Sequence, residues 1–279
     1  GEIVQKIDGV AVADRYRDES ETISSATEQW RRQVGLGRML ERSAAGPVEI
    51  VVRDAGGSSR TVIVEAVAAE VYRPSAEVRP ESGSEVDPGI VYFDLNNART
   101  ATLRSHMKTM QRAKAVIFDL RGYPNDAGYD LFKHIITQPV TSAWWCVPVR
   151  THPGREPNRW EESHWDISPS ATRIPGKLVF ITDGSAISYA ESCMAIVEHY
   201  KLAEIVGSPT AGTNGNVNPF ELPGGYRVAW TGMKVEKHDR GPHHGVGVLP
   251  TVPVKRTVEG IAAGVDELLQ RAIEVARQP

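Results

Sequence analysis

Cysteine is nearly missing from this chain: Cys146 and Cys193 are its only two. Two are too few for a disulfide framework, so cysteine usage gives no compartment; both are read as buried free thiols. Long apolar runs are lacking as well. The clearest, residues 177–181 (KLVFI), falls far short of the ~20 residues that cross a bilayer. Neither charge sign dominates, since 32 Lys and Arg against 35 Asp and Glu leave a formal net charge of −3. That balance forces no basic surface and gives nucleic-acid binding no support. The first residue is Gly1, with no succession of basic, apolar and small residues after it to make a signal peptide. The sequence is therefore read as a piece whose upstream part is missing. What is present is ordinary globular composition, 41% apolar and 24% charged, at a length for one large domain or two smaller ones.

Strand-like residues Ile3, Val4 and Ile7 open the chain, and Asp8-Gly9 is a tight-turn dipeptide before Val10. Residues 15–42 read as one long polar helix with Trp30, Val34, Leu36, Met39 and Leu40 as its apolar members. Residues 48–53 and 61–64 read as a hairpin around the Ala55-Gly56-Gly57 turn. These elements make a compact α+β module over residues 1–72. Between 73 and 88 the composition turns to Pro, Ser, Glu and Gly without a core-forming period, which predicts an exposed linker. From 89 onward apolar strands alternate with helical spacing. Residues 90–93, 115–118, 177–181 and 205–206 are the strands, and residues 188–200 and 261–276 are helices. Residues 115–118 are apolar on both faces, as parallel-sheet interiors are. The fold class is α/β, with helices packed on a mostly parallel sheet over residues 89–279.

Two strand ends are candidates to carry chemistry. The segment KLVFITDGSAISYAES is a buried strand, a turn and a helix starting near Ser188. There the hydroxyl meets unpaired N–H groups and the positive end of a helix dipole. Such groups stabilise an oxyanion, and the Tyr189 N–H is one candidate donor. The plainer reading makes Ser188 an N-cap, with Glu191 closing a capping box. The segment AVIFDLRGYPNDAG is a second buried strand running into a turn. Loops at neighbouring carboxyl ends of parallel strands share a crevice, so backbone N–H groups of Gly122, Asn125 and Asp126 are candidates for the second donor. The plainer reading is a strand-ending turn with an Asp119–Arg121 ion pair. Trp144, Trp145, Trp160 and Trp165 bracket a loop that is either packed by its own aromatics or a wall over the crevice. Glu267 and Arg271 are read as an i,i+4 surface pair.

Five segments in order resemble the C-terminal-processing (tail-specific) and tricorn-core serine peptidases. GEIVQKIDGVAV is similar to part of their PDZ domain, DLRGYP to their Asp-Leu-Arg-x-Asn-x-Gly-Gly loop, and SYAES to their Ser-Ala-x-Glu nucleophile segment. VGSPTAGTNG is similar to their Val-Gly-x-x-Thr-x-Gly turn and HHGVGVLPTVPV to their Gly-Val-Gly-Ile-x-Pro-Asp segment. The resemblance implies a crotonase-like (ClpP/crotonase) core with a mostly parallel sheet, preceded by an N-terminally truncated PDZ-like domain. It implies peptide-bond cleavage through an acyl-enzyme on Ser188, a polypeptide substrate, and no cofactor or metal. It also implies a periplasmic or extracellular bacterial setting; oligomeric state stays open.

The chain departs from that pattern at the general base. Thr213 stands where one branch has its lysine, and His244 where the other has a glutamate. Two accounts follow. In the first, the base is a histidine on missing upstream sequence, and His243 or His244 orients it or touches substrate. In the second, His244 itself reaches Ser188, with Asp239 or Glu191 holding its ring. His238, His243 and His244 are also compatible with a solvated hairpin tip. A zinc site lacks a clear third ligand at suitable spacing. Two rival functions remain: a catalytically inactive peptide-binding protein on the same fold, and crotonase-type acyl-CoA chemistry.

Overall fold

A computed structural model describes residues 1–42, 44–67, 77–154 and 156–279. Its first part has β1 (Ile3–Ile7), β2 (Val10–Ala11), α1 (Val12–Glu21), α2 (Glu28–Arg38), β3 (Gly46–Arg53) and β4 (Ser59–Ala66). The strands form an antiparallel sheet in the order β2-β1-β3-β4. Along β3 the side chains alternate, as a half-covered sheet requires. Val48, Ile50 and Val52 turn inward to meet Ile7 and Met39, while Glu49 and Arg53 face water.

The helix expected over 15–42 is two helices. Hydroxyls between them take backbone partners that helix continuation would need: Thr22 Oγ1 donates to Glu19 O and Ser25 Oγ to Thr27 O. Thr27 then caps α2 by accepting from the Trp30 N–H at 3.2 Å.

The second part runs β5 (Glu85–Asp87), β6 (Ile90–Asp94), α3 (Thr100–Arg112), β7 (Ala115–Asp119), α4 (Ala127–Ile135), β8 (Val140–Thr141), β9 (Trp144–Val149), β10 (Arg159–Ser163), β11 (Asp166–Ile167) and β12 (Lys177–Thr182). It continues through α5 (Tyr189–Tyr200), β13 (Glu204–Gly207), β14 (Val217–Leu222), β15 (Tyr226–Thr231), β16 (Lys234–Glu236), β17 (Val252–Pro253), α6 (Val258–Ala262) and α7 (Glu267–Arg277). The main sheet has the order β17-β13-β12-β7-β6-β5, parallel except at the β5 edge. Every residue of β7 is buried, because both faces are covered. α3, α4 and α5 pack on one face through Leu103, Met110, Phe132, Met194 and Val197. α7 packs on the other through Leu268, Ala272 and Val275.

Three local expectations need correction. The stretch read as an exposed linker contains β5, an edge strand of the main sheet, and Arg79, which donates to Arg121 O at 3.0 Å; residues 68–76 lie outside the described chain. The helix expected over 261–276 breaks at Gly264, whose φ of +65° suits glycine, and Asp266 starts α7 by accepting from Leu269 N. Glu267 and Arg271 do not pair: Glu267 accepts from Thr257, and Arg271 bonds Glu274 at 2.6 Å.

Asp119 and Arg121 do pair, inside the protein. The buried Arg121 guanidinium reaches Asp119 Oδ2 at 2.5 Å and Asp266 Oδ2 at 2.7 Å, tying the end of β7 to the start of α7. Burial pushes the Asp266 carboxyl up, but the Arg121 bonds outweigh it and hold the group below its ordinary value. A carboxyl depressed in the folded state stabilises above its unfolded pKa of about 3.9 and loses that contribution as pH falls through the folded value. Asp266→Asn is therefore expected to lower Tm near about pH 7, with the gap to the parent closing below about pH 4. Thermal melts across that range check it; a constant gap would contradict it.

Candidate active site

β7 and β12 are adjacent parallel strands, so the loops leaving their carboxyl ends start side by side. After β12 the chain turns through residues 183–187, with Ala186 N donating to Asp183 O at 3.1 Å, and enters α5 at Ser188. There φ is 57° and ψ −110°, a combination that a residue with a side chain adopts only under constraint. The constraint is visible. Ser188 N donates to Thr213 O at 3.1 Å and lies 3.3 Å from Glu191 Oε2. The next amide, Tyr189 N–H, has no acceptor among the described residues.

Glu191 is fully buried. Its Oε1 accepts from Thr210 Oγ1 at 2.6 Å and Gly212 N at 2.7 Å, and its Oε2 accepts from Thr213 N at 3.0 Å. It therefore does more than close a capping box. The carboxylate ties the 210–213 turn to the first turn of α5, and that turn holds the Ser188 N–H in return. Thr210 and Gly212 were not singled out from sequence as partners of Glu191; the only signal was the VGSPTAG turn.

The three neighbouring histidines separate. His243 is fully buried with Nε2 3.3 Å from Glu191 Oε1, and neither ring nitrogen is hydrogen-bonded among the described residues. His244 is exposed and pairs with no carboxylate there. His238 lies on the far side, its Nε2 2.8 Å from Thr141 O and its ring stacked on His199 at 3.9 Å; burial pushes its pKa down. Asp239 accepts from Gly241 N at 2.9 Å, closing its own turn, and the Asp239–His244 contact offered as one alternative is not formed among the described residues. No group of three or more metal-binding side chains converges among the described residues.

The turn after β7 leans against the same helix start. Asn96 Oδ1 accepts from Tyr123 N at 3.1 Å, and Asn125 Nδ2 donates to Asn97 O at 2.9 Å. Gly122 has φ +137°, and neither its N–H nor that of Asp126 has an acceptor among the described residues. The Tyr123 and Tyr189 rings lie 5.9 Å apart, and Tyr189 Oη accepts from Tyr129 N at 2.7 Å. Ser188, Tyr189, Glu191, Gly122, Asn125, Asp126 and His243 thus belong to one neighbourhood; His238 and Asp239 do not. Trp165 joins it, 5.5 Å from the Tyr189 ring and 5.0 Å from Trp145. Trp165 therefore packs on the site, with Trp145 behind it. Both cysteines are free and buried. Cys193 lies one turn behind Ser188, and burial pushes its thiol up to about 12.

The fold is similar to that of mature CPAF, with a TM-score of 0.73 and 13% identity over 99% of this chain and 76% of that one. A putative peptidase from Parabacteroides merdae ATCC 43184 is similar at TM-score 0.61 and 16% identity, covering 95% of this chain and 89% of its own. The photosystem II D1 C-terminal processing protease follows at 0.52 and 16%, covering 95% and 68%. At these identities the likeness is one of fold. No curated protein matches the sequence. The sequence pattern of peptidase family S41 matches residues 89–254, a span that includes both strand ends and the Glu191 turn, and the chain belongs to that family.

Proposed function

We propose that this chain hydrolyses peptide bonds through an acyl-enzyme on Ser188. The observation that carries the reading is the constrained Ser188 backbone at the mouth of α5, its own N–H tied down and the following amide unengaged. Strained nucleophile turns of this kind lift a hydroxyl out of the helix it starts. Ser188 Oγ attacks the scissile carbonyl, and the carbonyl oxygen takes the negative charge. The Tyr189 N–H and the Gly122–Asp126 turn receive that oxyanion. A histidine accepts the serine proton and passes it to the leaving amine, and water then cleaves the ester. Glu191 acts as a positioning residue, since its carboxylate holds the 210–213 turn, whose Thr213 O accepts the Ser188 N–H.

No histidine nitrogen is hydrogen-bonded to Ser188 Oγ among the described residues. This favours a base other than His243 and His244, with His243, buried against Glu191, helping to hold the Ser188 turn. His244→Gln, a change at an exposed residue, is then expected to leave Ser188 labelling within about threefold. A loss of ~100-fold or more, the scale of a deleted acid–base group, would place the base at that histidine.

Residues 89–279, together with the β5 edge strand, are proposed as a crotonase-like catalytic core and 1–72 as a PDZ-like module. β4 is an edge strand. Beside it lies a groove of about 550 Å³ lined by Leu40, Val48, Val64 and Val67. An open edge next to an apolar groove suits an extended polypeptide added as a further strand. Such a module would feed chain ends to Ser188, which is the proposed C-terminal-processing activity.

A fluorophosphonate probe on the protein tests the enzyme reading. Labelling that maps to Ser188 and vanishes in Ser188→Ala is the expected result. Absence of labelling with peptide binding retained would favour an inactive binder. Saturable binding of a CoA thioester would favour acyl-CoA chemistry.

A further inference from the structure

We infer that the Tyr189 hydroxyl is the brace that sets the two sides of the oxyanion site at a fixed separation. This rests on the proposed role of Ser188 and concerns a side chain that the resemblance leaves unassigned. Tyr189 follows Ser188, where the family pattern has alanine. Its backbone N–H is a proposed oxyanion donor, and its side chain reaches away across to α4. There Oη accepts from the Tyr129 N–H at 2.7 Å. Tyr129 is the third residue of α4, so its N–H has no partner inside its own helix. The phenol supplies that missing acceptor, and in doing so it ties the start of α4 to the start of α5. α4 begins directly after Asp126, the end of the second donor turn.

The contact is closely fitted. A Cβ added at Gly128 would lie 3.0 Å from Tyr189 Oη, 3.1 Å from Cys193 Sγ and 3.2 Å from Pro124 Cγ. Glycine is what lets the phenol approach the helix backbone. Rings on both sides fix its direction, with Tyr123 at 5.9 Å and Trp165 at 5.5 Å. Burial raises the phenol pKa, so the hydroxyl stays protonated. One residue thus carries a donor on its backbone and, through its side chain, positions the turn that carries the other. The expected consequence is specific to charge development. Loosening the brace weakens binding of the tetrahedral oxyanion more than binding of the trigonal substrate.

Tyr189→Phe removes the hydroxyl and keeps the ring, so the packing with Tyr123 and Trp165 survives. The kcat is expected to fall about tenfold or more, with KM within about twofold. Affinity for a peptide boronate should fall by the same factor as kcat, while affinity of Ser188→Ala for uncleaved peptide is unchanged by adding Tyr189→Phe. Gly128→Ala, which pushes against the phenol without removing it, should reproduce the kcat loss. If Tyr189→Phe lowers only Tm and leaves kcat and boronate affinity intact, the hydroxyl is structural and the inference is overturned. If the parent is not labelled at Ser188 at all, it is the peptidase reading that fails instead.

Discussion

Ser188→Ala is expected to reduce peptide hydrolysis by about 10⁴-fold or more, since loss of a serine nucleophile removes the covalent route and leaves only what binding and oxyanion donors achieve. Its effect on stability should be small. The Ser188 side chain is partly exposed, and the bonds that fix the turn come from its backbone. Ser188→Gly separates the two roles more sharply. A non-glycine residue at φ 57° and ψ −110° holds about 1–3 kcal/mol of backbone strain, and glycine relieves it at an entropic cost of about 0.5–1 kcal/mol. Ser188→Gly should therefore be as inactive as Ser188→Ala yet melt higher than it. Thermal melts of the two inactive variants decide the point. If Ser188→Gly melts lower, the turn is not strained, and the constrained elbow loses its support.

Glu191→Ala carries the largest expected stability loss. The substitution leaves Thr210 Oγ1, Gly212 N and Thr213 N without their acceptor. Each buried donor left unpaired costs about 1–3 kcal/mol, so a loss of about 3–9 kcal/mol is expected for the three, a large share of the ~5–15 kcal/mol that keeps a domain folded. Glu191→Gln should lose less, because one oxygen still accepts, but its amide nitrogen must face a backbone N–H. Urea unfolding midpoints of the two variants measure this. A Glu191→Ala loss within about 1 kcal/mol would mean that the 210–213 turn does not depend on the carboxylate. Activity should fall in both, since the turn that accepts the Ser188 N–H is anchored by Glu191.

The frame of the fold was legible because it is written in local patterns. β7 and β12 read as buried strands from unbroken apolar runs, and α5 from its spacing. The misreadings arose where a few polar side chains redirect the backbone. Nothing in apolar spacing shows that Thr22 and Ser25 take carbonyls for themselves, or that Gly264 ends one helix before Asp266 starts another. β5 was hidden because an edge strand of three residues has no period to detect. Within the site, Ser188, Glu191 and the Gly122–Asp126 turn were visible as strand ends. Their connections were not, since Glu191 meets donors about twenty residues away and Tyr189 caps a helix sixty residues upstream. The two adjacent histidines show the limit most plainly. Sequence placed His243 and His244 together. Only the path of the turn, where His243 O accepts from Val246 N and Gly247 N, sends His243 inward to Glu191 and leaves His244 in water.

The account depends on a covalent bond between one oxygen and the substrate's acyl group. Intact mass spectrometry of the protein, quenched during turnover of a slowly deacylating peptide ester and followed by peptide mapping, looks for that bond directly. An adduct equal to the acyl fragment on the peptide carrying Ser188, absent from Ser188→Ala, is the predicted result. Turnover that persists in Ser188→Ala, or an adduct mapped to another residue, would contradict it.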